Sequence, residues 1–148
     1  MNKIIVVIPT SLNRVSLLLR TVGSVLSQTR PADHILISCD SDEVKTKAFS
    51  GLCKERFSNP SIQIVTNLSN QGLSENINNA INMLAEFDGR KTIISLLDDD
   101  DYWKSDYLFH VEKKFQHGST FVASAYAYVN EPPTSPRHPP QEIKHELF

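Results

Sequence analysis

The sequence predicts an α/β fold, a mostly parallel sheet with helices on both faces. Short runs of β-branched and apolar residues alternate along the chain with longer segments in which apolar residues recur every three or four positions. Strands that alternate with helices in this way are joined by right-handed crossovers and lie parallel in one sheet.

The predicted elements are five strands and four helices, in strand–helix order from the N-terminus. Strands are predicted at residues 4–8, 34–39, 62–65, 92–97 and 120–129. Helices are predicted at residues 14–28, 43–57, 74–87 and 105–115.

The first two strand–helix pairs are defined by apolar spacing and by the residues that end them. Residues 4–8 are continuous and β-branched, as expected for a strand covered on both faces, and Pro9 ends the run. The first helix is predicted to bury Val15, Leu18, Val22, Val25 and Leu26. The second, more polar helix is predicted to bury Val44, Phe49, Leu52 and Phe57.

The later elements are predicted from caps and alternation. Ser74 is the predicted N-cap of the third helix, in which Ile77, Ile81 and Leu84 are expected to face the sheet. Residues 92–97 are apolar until they end in a run of acids, so we expect a buried strand there. Residues 120–129 are predicted to form the fifth strand, because Ala and Tyr alternate in it.

The composition is that of one ordinary soluble domain, with 148 residues, a hydrophobic share of 40% and a net charge of −2. We assign residues 1–129 to that domain and residues 130–148 to a proline-rich tail or linker. The absence of a basic stripe argues against nucleic acid as a partner, and no segment is long and apolar enough to cross a bilayer. Cys39 and Cys53 lack metal-ligand spacing and suit a reduced, cytoplasmic protein.

The strongest candidate site is a run of four carboxylates, residues 98–101, at the end of the fourth strand. Two like charges about 4 Å apart repel by roughly 1 kcal/mol in water and by more inside a protein, so the run favours a bound cation or a retained proton. In an extended chain Asp98 and Asp100 point to the same side, and such oxygen ligands suit Mg²⁺ or Mn²⁺. The alternatives are a solvated acidic surface and a helix cap.

Two further polar clusters follow predicted strands, Pro9-Thr10-Ser11 after the first and Asp40-Ser41-Asp42 after the second. In open parallel sheets, ligands bind at the carboxyl ends of the strands, where the strand order reverses. If the first and fourth strands are neighbours, all three clusters line one crevice. Neither Gly-x-Gly-x-x-Gly nor Gly-x-x-x-x-Gly-Lys occurs, which argues against dinucleotide dehydrogenases and P-loop enzymes.

Four motifs occur together and in order along residues 3–129. They are Ile8-Pro9-Thr10 with Asn13-Arg14, Ser24-Val25-Leu26-Ser27-Gln28-Thr29, Asn70-Gln71-Gly72-Leu73-Ser74 with Asn78, and Leu97-Asp98-Asp99-Asp100-Asp101-Tyr102-Trp103. In this combination they resemble glycosyltransferase family 2, which has the Rossmann-like GT-A fold. The resemblance implies a nucleotide-diphosphate-sugar donor, usually a uridine one, and a saccharide or lipid-linked acceptor.

The resemblance also implies roles for single residues of the nucleotide site. Thr10 matches the position after the first strand that contacts the nucleotide, and Asp40 matches the acid that accepts a hydrogen bond from the base. Asp99 is expected to face the ribose or the sugar, and Asn13 and Asn78 are counted among the nucleotide-binding residues. The structural alternatives are that Thr10 caps a helix, that Asp40 occupies a turn and that Asn78 faces solvent.

Asp98 and Asp100 match the ends of the Asp-x-Asp motif, so the resemblance implies Mn²⁺ or Mg²⁺ as the cofactor. A metal that neutralises the diphosphate stabilises the charge that develops as the donor's glycosidic bond breaks. The chain departs from the family pattern at Cys39-Asp40-Ser41-Asp42, which lacks one base contact. The identity of the base therefore stays open.

The family draws its general base from a later segment, for which this chain has no convincing equivalent. The remaining acids Glu131, Glu142 and Glu146 lie in or beyond the proline-rich tail, so the catalytic residue is unassigned and the domain is expected to be truncated. A truncated domain would expose apolar surface, which predicts self-association.

Three functions remain as hypotheses. The first is a metal-assisted, inverting glycosyltransferase of the cytoplasm or of the inner membrane face. The second is a nucleotide- and metal-binding fragment or pseudoenzyme without the acceptor half and catalytic base. The third, a metal-dependent nucleotidyl or phosphoryl transferase, is a distant alternative on a similar sheet.

Overall fold

Strands and helices alternate throughout the residues that the computed structural model describes, which are 2–67, 72–85, 87 and 91–124. The strands are β1 (Lys3–Thr10), β2 (His34–Cys39), β3 (Ile62–Thr66) and β4 (Thr92–Leu96). The helices are α1 (Val15–Leu26), α2 (Glu43–Phe57), α3 (Leu73–Met83) and α4 (Tyr107–Gln116). The predicted α/β fold of the GT-A type is confirmed.

The four strands form one parallel sheet in the order β3-β2-β1-β4. Strand β1 lies between β2 and β4, with Thr10 aligned with Cys39 and Val7 aligned with Leu96. The strand order reverses at β1, because β2 and β3 lie on one side of it and β4 on the other. The carboxyl ends of β1, β2 and β4 therefore meet at one edge of the sheet.

Strand β1 runs two residues beyond its predicted end and includes Pro9. On the β4 side, pairing stops at Val7, whose carbonyl oxygen accepts from Leu97 N at 3.1 Å. Pro9 lies two residues further along β1, so its backbone nitrogen points to the same side as the backbone of Val7. At that point β4 has already ended. Its missing N–H therefore removes no hydrogen bond from the sheet.

Two apolar clusters cover the sheet. On one face α1, α2 and α4 pack against the strands, and the largest buried residues are Ile4, Ile8, Leu18, Ile35, Ile37, Phe49 and Leu108. On the other face α3 packs through Ala80 and Leu84 against Ile5, Val7 and Leu36. Successive residues of β1 thus belong to opposite clusters, as expected for a strand covered on both sides.

The buried face of α3 differs from the predicted one. Asn76, Ala80 and Leu84, spaced by four, face the sheet, whereas Ile81 is exposed and Ile77 is only partly buried. The prediction was wrong for the two isoleucines because it followed apolar spacing, and the true face carries a polar and a small residue. A polar residue can occupy that face because its hydrogen bonds are made within the protein.

The start of α3 differs from expectation, whereas α2 begins at Glu43 as predicted. Gly72, with a φ of 84°, takes the N-cap position of α3 that was predicted for Ser74. A left-handed φ is adopted most readily by glycine. Asp42 is the N-cap of α2, and its side chain accepts from Lys45 N at 2.8 Å. Of the acids after β2, Asp42 therefore serves the helix, and only Asp40 is left for a crevice.

Helix α2 buries a narrower face than its apolar residues suggest. Thr46, Phe49 and Cys53 are buried, whereas Val44 is 80% exposed and Leu52 is 41% exposed. Two of the residues predicted to point inward are thus on the surface. A face centred on Phe49 continues to Thr46 and Cys53 at helical spacing, and it leaves Val44 and Leu52 on its flanks.

Strand β4 is an edge strand within the described ranges, and its outer face is open. Ile93 and Ser95 are buried, but Ile94 is 40% and Leu96 is 50% exposed. The expectation of a buried strand is met on one face only, because α3 covers β1 and β2 and leaves the same face of β4 uncovered.

The C-terminal predictions lie mostly outside the described residues. Residues 120–124 carry no strand, so the predicted fifth strand is absent from its first half, and residues 125–129 are not described. The tail assigned to residues 130–148 lies outside as well and stays a prediction. Among the described residues, no helix combines the length and the apolar character needed to cross a membrane.

Candidate functional site

A cavity of about 320 Å³ opens where β1, β2 and β4 end. Its lining residues are Pro9, Thr10, Ser11, Arg14, Asp40, Gly72, Leu73, Asn76, Asp98, Asp99 and Asp100. We call it the strand-end cavity. All three polar clusters contribute to it, which confirms the single crevice expected if the first and fourth strands are neighbours.

The cavity gathers five of the seven residues singled out from the sequence. They are Thr10, Asp40, Asp98, Asp99 and Asp100. Asn13 and Asn78 are not part of its lining. Asn13 is exposed and donates to Ser11 Oγ at 3.0 Å, and Asn78 is exposed on α3. The structure thus gives Asn78 the solvent-facing position that was its alternative.

Thr10 joins the end of β1 to the acids after β4. Its buried hydroxyl donates to Asp99 Oδ2 at 2.7 Å and accepts from Leu12 N at 3.0 Å. Leu12 has a φ of 59°, which is uncommon for a residue with a side chain. The hydrogen bond to Thr10 and the burial of the Leu12 side chain hold that turn. Thr10 therefore both shapes the loop before α1 and fixes one carboxylate.

The acids after β4 form a tight turn, residues 98–101, which we call the acid turn. Asp101 N donates to the carbonyl oxygen of Asp98 at 3.2 Å. Because the chain turns here, its side chains do not alternate as in a strand, and Asp98, Asp99 and Asp100 all line the cavity. The prediction from an extended chain, in which Asp98 and Asp100 share a side that Asp99 does not, was therefore wrong. Asp99 is 5% exposed, so it is the innermost of the three.

Arg14 pairs with two carboxylates of the acid turn. Its Nη2 lies 2.7 Å from Asp99 Oδ1, and its Nη1 donates to Asp100 Oδ2. Sequence reasoning gave this arginine no role beyond membership of a motif. Its position after the first strand was the available signal, since a cation there lies at the same edge as the acids.

Helix α1 holds the main chain of the acid turn. Arg20 Nη2 donates to the carbonyl oxygen of Asp100 at 2.7 Å, and its guanidinium lies 4.8 Å from the ring centre of Tyr102. The hydroxyl of Thr21, fully buried, lies 3.1 Å from the carbonyl oxygen of Asp99. These contacts fix the carbonyl groups, so the carboxylates remain directed toward the cavity.

The same face of α1 holds the chain that leads from the acid turn into α4. Ser24 Oγ accepts from Trp103 N at 3.2 Å, and Gln28 Nε2 donates to the carbonyl oxygen of Lys104 at 2.7 Å. Gln28 Oε1 accepts from Leu108 N at 2.9 Å, whereas the side chain of the helix's own N-cap residue, Asp106, makes no capping hydrogen bond within the described residues. Gln28, two residues past the end of α1, thus caps the start of α4. The motif at residues 24–29 therefore positions the motif at residues 97–103 and the chain that follows it.

Asp40 presents one free carboxylate oxygen. Its Oδ2 accepts from Gly72 N at 3.0 Å, whereas its Oδ1 is buried and has no hydrogen-bond partner among the residues that the structure describes. A buried acceptor without a partner is unusual in a folded protein and indicates a missing donor. Because Asp40 lines the cavity, a rotation of its carboxylate would present this oxygen to the N–H group of a ligand there.

Asn76 closes the inner end of the cavity. It is 2% exposed, and its Nδ2 donates to the carbonyl oxygen of Ser38 at 2.9 Å while its Oδ1 accepts from Ser38 Oγ at 2.6 Å. Its amide also lies 3.5 Å from the carbonyl oxygen of Thr10. Asn76 thereby ties α3 to the ends of β1 and β2. Its spacing of four from Ala80 and Leu84 could have indicated that Asn76 faces the sheet, but the prediction considered apolar residues only.

The electrostatics of the acid turn favour a cation. Burial raises the pKa of Asp98, and the neighbouring charges of Asp101, Asp100 and Asp99 raise it further, while Arg14 acts in the opposite direction. The carboxylate form of Asp98 is therefore less favoured than that of an isolated aspartate, and a cation in the cavity would offset this rise in pKa.

The donor atoms at the cavity fit a hard divalent ion that brings ligands of its own. In residues 2–67, 72–85, 87 and 91–124, no three His, Cys, Asp or Glu side chains are grouped to hold an ion. Asp98 and Asp100 supply carboxylate oxygens to the same cavity. Mg²⁺ is commonly held by one or two carboxylates together with substrate phosphates. The residues present therefore suit Mg²⁺ or Mn²⁺ that binds with a phosphate ligand.

A second cavity, of about 380 Å³, lies between the end of α2 and β3. Its lining residues are Ser50, Cys53, Lys54, Asn59, Pro60, Ile62 and Ile64, and none of them is acidic. Cys53 and Cys39 are free and buried, and burial raises the pKa of both thiols, that of Cys39 to about 12. Neither is a reactive thiolate at neutral pH. Because its lining has no acidic side chain, this cavity fits a metal or nucleotide site less well than the strand-end cavity does.

Fold and cavity together define an α/β protein whose ligand cavity lies at the carboxyl ends of a parallel sheet. The sequence profile described as Glycosyl transferase family 2 matches residues 5–147. The chain belongs to glycosyltransferase family 2, as its four motifs suggested. No curated protein matches its sequence significantly.

A solved structure has a similar fold. The crystal structure of S. aureus TarS matches with a TM-score of 0.58 and 16% sequence identity, over 78% of this chain. The match covers 20% of the TarS chain, so this chain spans a small part of the length of that protein. At this identity the likeness concerns the fold alone.

Proposed function

We propose that this chain binds a nucleotide-diphosphate sugar, with UDP as the nucleotide, and that the protein transfers the sugar to a saccharide or lipid-linked acceptor with inversion. The observation that carries the proposal is the strand-end cavity, in which Thr10, Asp40 and residues 98–100 meet. Membership of glycosyltransferase family 2 supports it.

The acid turn is the diphosphate end of the proposed site. Asp98 and Asp100 would hold Mn²⁺ or Mg²⁺ there, and the ion, when bound, supplies positive charge to the diphosphate leaving group. Thr10 and Arg14 hold both oxygens of Asp99, which keeps the turn in one conformation. A fixed array of charges needs little reorganisation when the donor bond breaks, and this favours the reaction.

Asp40 is the base end of the proposed site. Its free Oδ1 accepts the N3–H group of uracil, and Gly72 N holds its other oxygen in place. The single carboxylate gives one contact to the base. We therefore retain Asp40 as the nucleotide-binding acid, and we give no such role to Asn13 or Asn78.

The acceptor end requires a general base within hydrogen-bond reach of the attacking hydroxyl. The four carboxylates that line the cavity, Asp40 and residues 98–100, are all assigned to the donor. Glu131, Glu142 and Glu146 lie outside the described residues. This favours a second candidate function for the chain, a donor-binding module that transfers no sugar without further protein.

We also propose a cytoplasmic location, with contact to the inner membrane face if the acceptor is lipid-linked. The free cysteines Cys39 and Cys53 support a reducing compartment.

Titration calorimetry with UDP, in the presence and absence of Mn²⁺, tests the proposal. We expect binding that depends on Mn²⁺ and that weakens at least about tenfold, or about 1.4 kcal/mol, in Asp100→Asn. Asp101→Asn is the matched control, because it removes an equal charge from the same turn but its side chain does not line the cavity. Binding that ignores both Mn²⁺ and Asp100→Asn would contradict the proposed site. Transfer of the sugar to an added acceptor would show that the chain is an enzyme, whereas donor binding without transfer would show that it is a binding module.

A further inference from the structure

We propose, resting on the donor site proposed above, that Arg14 is the resident counter-cation of the acid turn and that a divalent ion must displace it from Asp100. Arg14 Nη2 lies 2.7 Å from Asp99, and Nη1 of the same guanidinium donates to Asp100. One side chain thus neutralises two of the three acid-turn carboxylates that line the cavity. A guanidinium is suited to this because its planar fork can serve two acceptors at once.

The two partners of Arg14 differ in how easily they can be exchanged. The side chain of Asp99 is 7% exposed, and its other oxygen already accepts from Thr10 at 2.7 Å. The side chain of Asp100 is 38% exposed and faces the cavity, and that of Arg14 is 52% exposed. Arg14 is therefore anchored on Asp99, while its pair with Asp100 is open to competition from solvent and ions.

A divalent ion that uses Asp98 and Asp100 competes directly with this arginine. It draws on the Asp100 carboxylate that is paired with Arg14, and its double charge then lies beside the guanidinium charge that stays on Asp99. Like charges at such distances repel, and they are partly screened because the site is open to solvent. The free protein should therefore hold the ion weakly.

A nucleoside diphosphate reverses this balance. Its phosphate charges lie between the two cations and attract both, so ion and nucleotide bind more tightly together than apart. Arg14 thereby couples the two ligands, and the protein does not retain a metal in the absence of its donor.

The test is the affinity for Mn²⁺ alone, measured by electron paramagnetic resonance on the free chain. We expect Arg14→Gln to bind Mn²⁺ about tenfold more tightly than the unmodified chain, which corresponds to about 1.4 kcal/mol. Arg56→Gln is the control for net charge, because Arg56 lies over the Phe57 ring on α2, away from the cavity, and its loss should leave the affinity unchanged. Circular dichroism checks that each variant is folded.

Arg14→Lys provides a second variant, which keeps a charge beside the buried Asp99. A single ammonium cannot pair with both carboxylates as the guanidinium does. We therefore expect an affinity for Mn²⁺ between that of the unmodified chain and that of Arg14→Gln. Equal or weaker Mn²⁺ binding in Arg14→Gln and Arg14→Lys overturns the inference and makes Arg14 a residue that orients the acids. Absence of Mn²⁺ binding from every variant, with UDP as well as without it, overturns the donor site too.

Discussion

In the proposed donor site Asp40 selects the base, because its free Oδ1 is an acceptor only. Uracil offers N3–H at the position where cytosine has a bare nitrogen, so UDP should bind at least about tenfold more tightly than CDP. In Asp40→Asn the amide can turn its NH₂ group toward the ligand and keep its oxygen on Gly72 N. We expect that variant to lose the preference or invert it.

Calorimetry with UDP and CDP on both chains measures the effect. An unchanged preference for UDP in Asp40→Asn would show that the base is recognised elsewhere.

Asn76 and Asn78 lie on the same helix and make a matched pair for stability. Asn76→Ala removes the partner of the buried Ser38, so we expect a loss of about 1–3 kcal/mol in the free energy of unfolding. Asn78→Ala alters an exposed side chain and should change it by less than about 0.5 kcal/mol. Urea unfolding followed by circular dichroism gives both values. Equal effects would mean that the hydrogen bonds of Asn76 add little.

Single residues were predictable where their position followed from the strand ends. Thr10, Asp40 and residues 98–100 were found in this way, since parallel strands bring their carboxyl ends together. Asn76 was missed because an amide can be buried only where another element supplies its hydrogen-bond partner. That partner is Ser38 on β2, and the spacing of residues along α3 does not reveal it. Arg14 was missed as a partner for the acids because the ion pairs join residues 85 and 86 positions apart.

At the scale of elements, Gln28 links α1 to α4 and to the chain after the acid turn. Gln28→Ala should lower the free energy of unfolding by about 1–3 kcal/mol, because Leu108 N and the carbonyl oxygen of Lys104 lose their partner. Gln63→Ala is the control, since the Gln63 side chain is exposed and its Oε1 lies 2.9 Å from His34 Nε2, far from α4.

Chemical denaturation compares the two variants. If Gln28→Ala lowers the free energy of unfolding no more than Gln63→Ala does, Gln28 does not hold the start of α4.

The elements themselves were predictable because apolar spacing and turn residues agree along most of the chain. Helix α1 shows this best, since Leu18, Val22 and Val25 are buried as expected. Helix faces were less predictable where the buried face is polar, as in α3. The exposure of Leu96 on β4 could not be foreseen, because it depends on which strands α3 covers.

At the scale of the whole molecule, the half-exposed Ile94 and Leu96 provide apolar surface on an edge strand of the described sheet. Such strands tend to pair with other chains. Self-association stays a prediction, which light scattering at increasing concentration checks. A molecular mass that stays at 16.7 kDa would contradict it.

The central claim is that the strand-end cavity is the donor site of the molecule. Amide chemical shifts of the ¹⁵N-labelled chain, recorded as UDP and Mg²⁺ are added together, test this most directly. We predict that the largest shifts occur at Thr10, Asp40, Gly72 and residues 98–100, which line that cavity. Shifts concentrated at Ser50, Lys54 and Ile62, around the second cavity, would contradict the claim, as would unchanged spectra of the folded chain.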